Sequence, residues 1–499
     1  MFYLRKGLEI IVANYPAGSV RQGFNYENIA LAFKSNKQLD SALHYMQLAH
    51  TILPQQLPPN DYSMAVHFFS YANILYQLDR LKEADAMLQK SNAVYEDLGL
   101  HQSAEYGQNL ALQGLIAAEG KDWTLADQKF ELALKKVQSA AVTNPSATAF
   151  QLSPNSLWLI NEYTAYLFLK YQSTAQVEAL QLFETYADIY LNLSDKFRKQ
   201  FTDPYTKSVL IKDNAEVYNR NIGIYNLLYR QTKKEAYLQA AYQFSEYGRS
   251  CLLRDLQDEK IKSYAGLPDA VLQKEIALKQ KVSQLNEQLL EQADNEQLKQ
   301  DLFASEEALN AFIDETAQAY PRYYELKFKA NVPSLASLQS KVEPGHNLVE
   351  YMQDDTAYYA LVIHSTNSDL IYLGNVHTLD QAIVNWKAAM VKQDQAALDR
   401  AGQVLYTHLW HPLVDQLSGN RITIIPTGRL FYLNFESLRR DTSPRSYLIY
   451  DYNITYALSF AVLFRKIKKR KRAPSLPSPQ VLKMSSSSNT KANWIRWNP

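Results

Sequence analysis

Hydrophobic residues in the first two thirds of the chain recur with helical spacing, and the pattern changes to short strands after Pro333. Three series of small residues return every 42 positions in the helical part. They are Ala30, Ala72 and Gly114; Ala42, Ala84 and Ala126; and Ala49, Ser91 and Ala133. Four residues after the second series come the large side chains Met46, Leu88 and Phe130. Small residues let two helices approach closely, so the pattern predicts tandem helix pairs packed through these positions. A non-repeating helical bundle is the alternative.

Further helix pairs follow, although the register loosens. Residues 156–171 and 177–193 read as one pair, and residues 219–256 read as another with a turn near Thr232. Projecting the third series back by 42 residues reaches Gly7, so we expect the chain to begin inside a repeat. The predicted fold of residues 1–250 is therefore a curved helical solenoid.

The concave face of such a solenoid usually binds a peptide or a protein segment. Tyr26, Asn28, Tyr71 and Asn109 lie on predicted first helices and are candidates for that face. A packing or solvated role is the favoured interpretation for each, because periodicity does not show which residues line the groove.

Residues 251–332 form a predicted helical connector. Leu278, Val282, Leu285 and Leu289 have heptad-like spacing, and Leu298, Leu302, Leu309 and Phe312 resume it after a turn signal at 293–296. This pattern favours an antiparallel helical hairpin. A dimerising coiled coil is the alternative, and it normally needs more unbroken heptads.

Residues 333–464 alternate strands with helices, which predicts an α/β sandwich. Three runs within 347–374 indicate an antiparallel meander, and helices are expected at 378–391 and 396–417. The continuously apolar run at 421–426 predicts a central strand. After it we expect a turn at Thr427–Gly428, a helix starting at Phe435, a second buried strand at 453–458 and a further helix after Ser459.

Composition narrows the class of protein. The chain has 499 residues with a formal net charge of +1, so no overall charge favours nucleic acid or an anionic membrane. Its single cysteine, Cys251, excludes an internal disulfide framework and fits a reducing compartment, here expected to be the cytoplasm. No transmembrane run or signal peptide is predicted.

The helix pairs resemble the tetratricopeptide repeat in a variant with a long loop after the second helix. The C-terminal part resembles the CHAT domain, a caspase-like module fused to such repeats in bacteria. The matching motif residues are Pro426, Gly428, Leu430, Leu433, Phe435, Glu436, Leu438, Tyr456 and Ser459. Thr427 and Asn434 depart from the family pattern, which has Asp and Pro there. The segments 246–256 and 266–278 resemble the family's link between repeats and CHAT domain.

This resemblance implies a His–Cys dyad that cuts peptide bonds, with the His before a Gly and the Cys ending a later strand. None of the nine histidines precedes a glycine, and Cys251 stands far upstream in a predicted helix. His364 is followed by Ser365, and His408 and His411 have no third metal ligand at a suitable spacing. We therefore assign no catalytic residue, metal or cofactor, and we do not expect this chain to be a peptidase.

Residues 465–499 are basic and then rich in Pro and Ser, which predicts disorder. A shifted reading frame or truncated gene is the favoured explanation, ahead of a basic tail that binds nucleic acid or acidic lipid through 465–472, and of a nuclear-import signal.

The favoured function is a protein–protein interaction scaffold with a catalytically inactive CHAT region. The alternative is a piece of a CHAT-family cysteine peptidase whose repeats sense a partner protein. The oligomeric state is left open.

Overall fold

The computed structural model describes residues 6–7, 9–10, 13–138, 146, 149–201, 204–262, 268–291, 295–321, 332–441, 443 and 445–464. The chain divides into Met1–Leu463 and Phe464–Pro499, and all features described below belong to the first unit. No helix in the described ranges combines the length and the apolar character needed to cross a bilayer.

Consecutive helices pack in pairs along the N-terminal half of the chain. The first three pairs are α1 (Val20–Ser35) with α2 (Leu39–Gln56), α3 (Tyr62–Gln77) with α4 (Leu81–Asp97), and α5 (Ala104–Glu119) with α6 (Trp123–Val137). Next come α7 (Pro154–Thr174) with α8 (Val177–Gln200), the short α9 (Pro204–Asp213), and α10 (Ala215–Thr232) with α11 (Glu235–Lys262). This architecture is the tandem helix-pair solenoid that the sequence predicts.

The turn inside each early pair has one geometry. Lys37, Asp79 and Lys121 adopt the left-handed conformation, with φ of 60°, 59° and 61°, and each lies 42 residues after the one before. The N–H of the residue after each left-handed residue donates to a carbonyl five residues earlier, as in Gln38 N to Phe33 O at 3.0 Å. This is the hydrogen bond of a Schellman motif. Ala175 and Lys233 are also left-handed in the later pairs, and there the residue's own N–H bonds to a carbonyl four residues earlier, as in the simpler αL motif.

The predicted packing positions lie inside the solenoid. The ten residues named for this role are all buried: Ala30, Ala42, Ala49, Ala72, Ala84, Ser91, Gly114, Ala126, Phe130 and Ala133. Ser91 is the polar member of this set, and its hydroxyl donates to the carbonyl of Ala65 at 2.8 Å, so its burial leaves no unsatisfied donor.

The connector contains α12 (Asp269–Glu291) and α13 (Glu296–Ala319), which pack against each other. Val282, Leu285, Leu309 and Phe312 are buried, as expected for the seam of a helical hairpin. The side chain of Leu289 lies outside the described residues.

A five-stranded sheet follows, with strand order β3-β2-β1-β4-β5. Its strands are β1 (His346–Gln353), β2 (Ala357–Ile363), β3 (Ser368–Asn375), β4 (Arg421–Ile425) and β5 (Asn453–Tyr456). The first three form the predicted antiparallel meander, whereas β4 runs parallel to both β1 and β5. The remaining helices are α14 (Leu335–Gln339), α15 (Val376–Lys392), α16 (Gln395–Leu409) and α17 (Phe460–Leu463).

Both faces of the sheet are covered, which confirms an α/β sandwich. Val349 and Tyr351 on β1 pack in one core with Trp386 of α15 and Leu405 of α16. The opposite face of β1 meets the solenoid, because α10 contacts β1 and Glu350 bonds with α11. Residues two apart on a strand share a face, so the odd and even positions of β1 lie on opposite faces of the sheet and pack against different layers.

Three local expectations for this region are wrong. The strand at 453–458 is not buried, because β5 has a described neighbour only on its β4 side, and Asn453, Thr455 and Tyr456 are exposed. The helix expected from Phe435 is a single 3₁₀ turn, Phe435–Ser437. The helix expected over 396–417 ends at Leu409, because Pro412 follows and the chain continues as the 3₁₀ turn His411–Gln416.

Candidate functional site

The loop after β4 contains the first of the predicted motif residues. Gly428 has φ of +52°, and a Cβ atom there would stand 2.2 Å from Oε1 of Gln353 and 3.1 Å from the hydroxyl of Tyr358. Only glycine combines this backbone conformation with this approach. A 3₁₀ helix, Gly428–Tyr432, starts here, and Thr427 precedes it without a side-chain cap.

Three apolar motif residues fix the loop to the sheet. Leu430, Phe435 and Leu438 are fully buried. The ring of Phe435 stacks on Tyr351 of β1 with 5.0 Å between centroids and lies 6.3 Å from the ring of Trp410. The motif after β4 therefore anchors the loop in the core beneath it.

Polar motif residues tie this loop to the end of β5. The Tyr456 hydroxyl accepts a hydrogen bond from the N–H of Phe435 at 3.0 Å and donates to Oε2 of Glu436 at 2.5 Å. Partial burial of the hydroxyl, and then the Glu436 carboxylate, raise the pKa of Tyr456, so the phenol stays protonated and can donate. Ser459 is fully buried, and its hydroxyl accepts from the N–H of Val462 at 3.1 Å.

Asn434 also has a local role. It stands where the family pattern has Pro, and its Oδ1 accepts the N–H of Glu436 at 3.2 Å. An Asn side chain can cap a short turn in this way, which gives the departure a physical account. The apolar motif residues thus share one core, and the bond between Tyr456 and Glu436 holds the loop beside it; the core residues are Leu430, Leu433, Phe435 and Leu438.

Each of the histidines considered for chemistry has a contact of its own. His364 is 7% exposed and its Nδ1 is 3.2 Å from the hydroxyl of Ser418; burial lowers its pKa. Nδ1 of His408 is 3.2 Å from the carbonyl oxygen of Leu373, and the His411 ring lies edge-on to Tyr406. Over the described residues, no three His, Cys, Asp or Glu side chains are grouped to hold a metal. The side chain of Cys251 is outside the described set.

The four candidates for the solenoid groove differ in how deeply they are buried. Tyr71 and Asn109 are buried, and Asn109 donates to Ser91 and Asn92, both at 2.8 Å. Tyr26 is half-buried with its ring 6.1 Å from that of Tyr45, and Asn28 is exposed. Two of the four are therefore internal packing residues.

A charged cluster on the first helices was not identified from the sequence. Lys34 of α1 donates to Asn73 of α3 at 3.1 Å, and its lowered pKa reflects burial, partly offset by Glu162 of α7. Burial raises the pKa of Glu162, against the attraction of Arg220 on α10. We call Lys34, Glu162 and Arg220 the inner charge cluster. Its members do not share the 42-residue spacing, so periodicity gave no signal for them.

A second polar network joins the first two helix pairs. Nδ1 of His67 is 3.1 Å from Oε2 of Glu27, and Nε2 of His67 is 3.0 Å from Nδ1 of His50. His67 is fully buried. Burial, and then His67 and Lys90, lower the pKa of His50 to about 4. The His50 ring is therefore neutral near pH 7.

Comparison with known proteins finds a family that is similar to the C-terminal region. A protein-family model for the CHAT domain matches residues 399–498. This part of the chain is therefore similar to the CHAT domain. The match begins in α16 and includes β4, β5 and all of the motif residues above.

The CHAT match and the sheet cover different ranges of residues. Strands β1–β3 precede the match but share the sheet with β4 and β5. At the other end the match continues past Phe464 over the stretch that we expected to be disordered, which lies outside the described residues.

Among solved structures, one similar chain comprises nearly identical TPR-like repeats of a Podospora anserina protein designated a kinesin light chain. It is 19% identical, covers 37% of this chain and 83% of its own, and has a TM-score of 0.28. That superposition is too loose to bear on the arrangement of the helices, which rests on the chain's own contacts. No curated protein matches.

Proposed function

We propose that the chain is a protein-interaction scaffold whose tetratricopeptide-like helix pairs bind a segment of a partner protein and whose CHAT region is not catalytic. The observation that carries this is the inner charge cluster on three separate first helices. Lys34 donates to Asn73 at 3.1 Å, Arg220 donates to Oδ1 of Asn161 at 2.7 Å, and Asn161 donates to Oε1 of Glu162 at 3.1 Å. Half-buried charges of both signs favour a partner segment that carries complementary charges. A reducing, cytoplasmic location fits the single cysteine.

The test is selection of peptides from a random library against the full chain, followed by measurement of Kd for the best sequence. Lys34→Glu reverses one charge of the cluster and should weaken binding at least tenfold. Lys135→Glu makes the same change on α6, where the side chain is 59% exposed and pairs with Glu131, and should change Kd less than twofold. Failure to enrich any peptide, or equal effects of the two variants, would contradict the proposal.

The CHAT match supports a second candidate, a piece of a cysteine peptidase whose repeats sense a partner. Because the sequence contains one cysteine, a thiol-directed activity probe can label only Cys251. Peptide cleavage by the full chain that disappears in Cys251→Ser, with unfolding unchanged, would favour this candidate over the scaffold. Cleavage that survives the substitution would have to come from other chemistry.

A further inference from the structure

One turn of α11 contacts the ends of adjacent parallel strands. Arg249 donates from Nη1 to the carbonyl oxygens of Pro426 at 2.8 Å and Ile425 at 3.3 Å, and from Nη2 to that of Tyr351 at 2.6 Å. The guanidinium therefore bridges β1 and β4 at their carboxyl ends. A planar fork of five N–H donors suits this task, whereas a lysine offers a single point of attachment.

Beneath Arg249 lies a buried carboxyl group on β1. Glu350 is fully buried, and its Oε1 accepts from the hydroxyl of Ser245 at 2.6 Å and lies 3.5 Å from Nη2 of Arg249. Ser245 also accepts from Nη2 of Arg249 at 2.9 Å, so helix and strand share one hydrogen-bonded group. A buried polar group of this kind is costly to leave unpaired, which favours the docked arrangement.

The same turn of α11 reaches the segment after β5. Oε1 of Glu246 accepts the N–H of Phe460, the first residue of α17, at 3.0 Å. Phe460 itself is fully buried. Ser245, Glu246 and Arg249, which we call the α11 clamp, therefore contact β1, the loop after β4 and the turn after β5.

Side-chain packing does not fill the space beside this loop. A half-open cavity of about 270 Å³ lies between α10, α11 and the ends of β1 and β4. Asn219, Gly248, Gln353 and Phe431 are among its lining residues, and Phe431 is 48% exposed. On this cavity side, the hydrogen bonds from Arg249 to the carbonyls of Ile425 and Pro426 hold the start of the loop.

We propose that Arg249 and Glu246 are positioning residues through which the last helix pair sets the conformation of the CHAT loop 426–432 and of the turn 457–460. Open α/β sheets bind their ligands at the carboxyl ends of parallel strands, so the solenoid would control the edge of the sheet that is suited to ligands. The inference concerns contacts within the chain and stands whether or not the proposed partner binds.

Hydrogen–deuterium exchange of the full chain tests the clamp. Arg249→Lys keeps the charge but loses the two separate nitrogens that bond to Pro426 and Tyr351, and exchange in 426–432 should rise at least tenfold while exchange in β2 is unchanged. The matched control is Arg220→Lys, which removes a guanidinium that donates to Asn161 and Thr164 within the solenoid. It should leave exchange in 426–432 within twofold of the wild-type rate.

Glu246→Gln provides the second variant, because it preserves the shape of the side chain and weakens the bond to Phe460. It should raise exchange in 457–463 at least threefold and leave 426–432 within twofold. The proposal is overturned if Arg249→Lys leaves the loop protected, or if Arg220→Lys deprotects it equally, since the loop would then report overall stability. If Arg249→Lys does not fold, unchanged exchange at 457–463 in Glu246→Gln overturns it.

Discussion

Gly114 lies against the ring of Phe130, and a Cβ atom on Gly114 would stand 2.9 Å from two of its ring carbons. Gly114→Ala should therefore lower the free energy of unfolding by about 1–3 kcal/mol, because the ring or α5 must shift. The measurement is urea unfolding. In the control Gly402→Ala on α16, the nearest atom is 3.9 Å away, and we expect a gain of up to about 1 kcal/mol. Equal losses in both variants would contradict the packing argument.

Gly428→Ala should destabilise the protein by about 1–2 kcal/mol, since it adds left-handed strain and the new Cβ, 2.2 Å from Oε1 of Gln353, must displace the end of that side chain. The control is Gly18→Ala, where φ is +76° and no atom lies within 4 Å, so only the strain of about 1 kcal/mol applies. Adding Gln353→Ala to Gly428→Ala should bring its cost close to that of the control. No recovery in the double variant would count against the contact.

Tyr456→Phe removes the hydroxyl that connects Phe435 N–H with the Glu436 carboxylate. We expect a loss of about 0.5–1.5 kcal/mol in thermal unfolding, the usual range for one lost hydrogen-bonded group. Tyr450→Phe removes a hydroxyl from a residue that is 61% exposed and should cost less than about 0.5 kcal/mol. A cost no larger than this in Tyr456→Phe would show that the connection contributes little.

Glu350 should make stability fall as the pH rises. Burial raises its pKa to about 8, against the attraction of Arg249, with Glu246 adding a further rise. The folded form thus holds a proton that the unfolded chain releases near its ordinary pKa, so stability is lost between about pH 4.5 and 8. Glu350→Gln should flatten this slope in urea unfolding from pH 5 to 8.5. A slope equal to that of the wild type would contradict the assignment.

His50 should make the stability of the fold decrease as the pH falls. Its pKa of about 4 lies below the ordinary value because of burial, then His67 and Lys90. The unfolded chain takes up a proton that the folded form does not, so stability present above about pH 6.5 is lost as the pH falls towards 4. Because the ring is partly exposed, we expect a loss on the order of 1 kcal/mol. His50→Gln should remove it, and His44→Gln on the same helix should not.

The sequence predicted the helix pairs well because close packing repeats the same small residues every 42 positions. Ala30, Ala72 and Gly114 are buried in successive pairs, and the left-handed turns share that spacing. The central position of β4 also followed from its continuous apolar run.

Contacts between distant segments were not predictable in this way. Glu350 occurs in a run of strand residues, and nothing nearby in sequence indicates that Ser245, 105 residues earlier, would bond with it. The exposure of β5 was missed for a related reason, since hydrophobic character does not reveal whether a strand has one neighbour or two.

The length of α11 has a consequence for the exchange of parts between proteins. This helix runs without a break from Glu235 to Lys262, and its middle turn contacts the sheet. A recombination event that replaced the solenoid with one from another protein would keep the sheet's hydrogen-bond partners only if α11 stayed with the sheet. The smallest unit that keeps these hydrogen bonds is then the sheet together with α11.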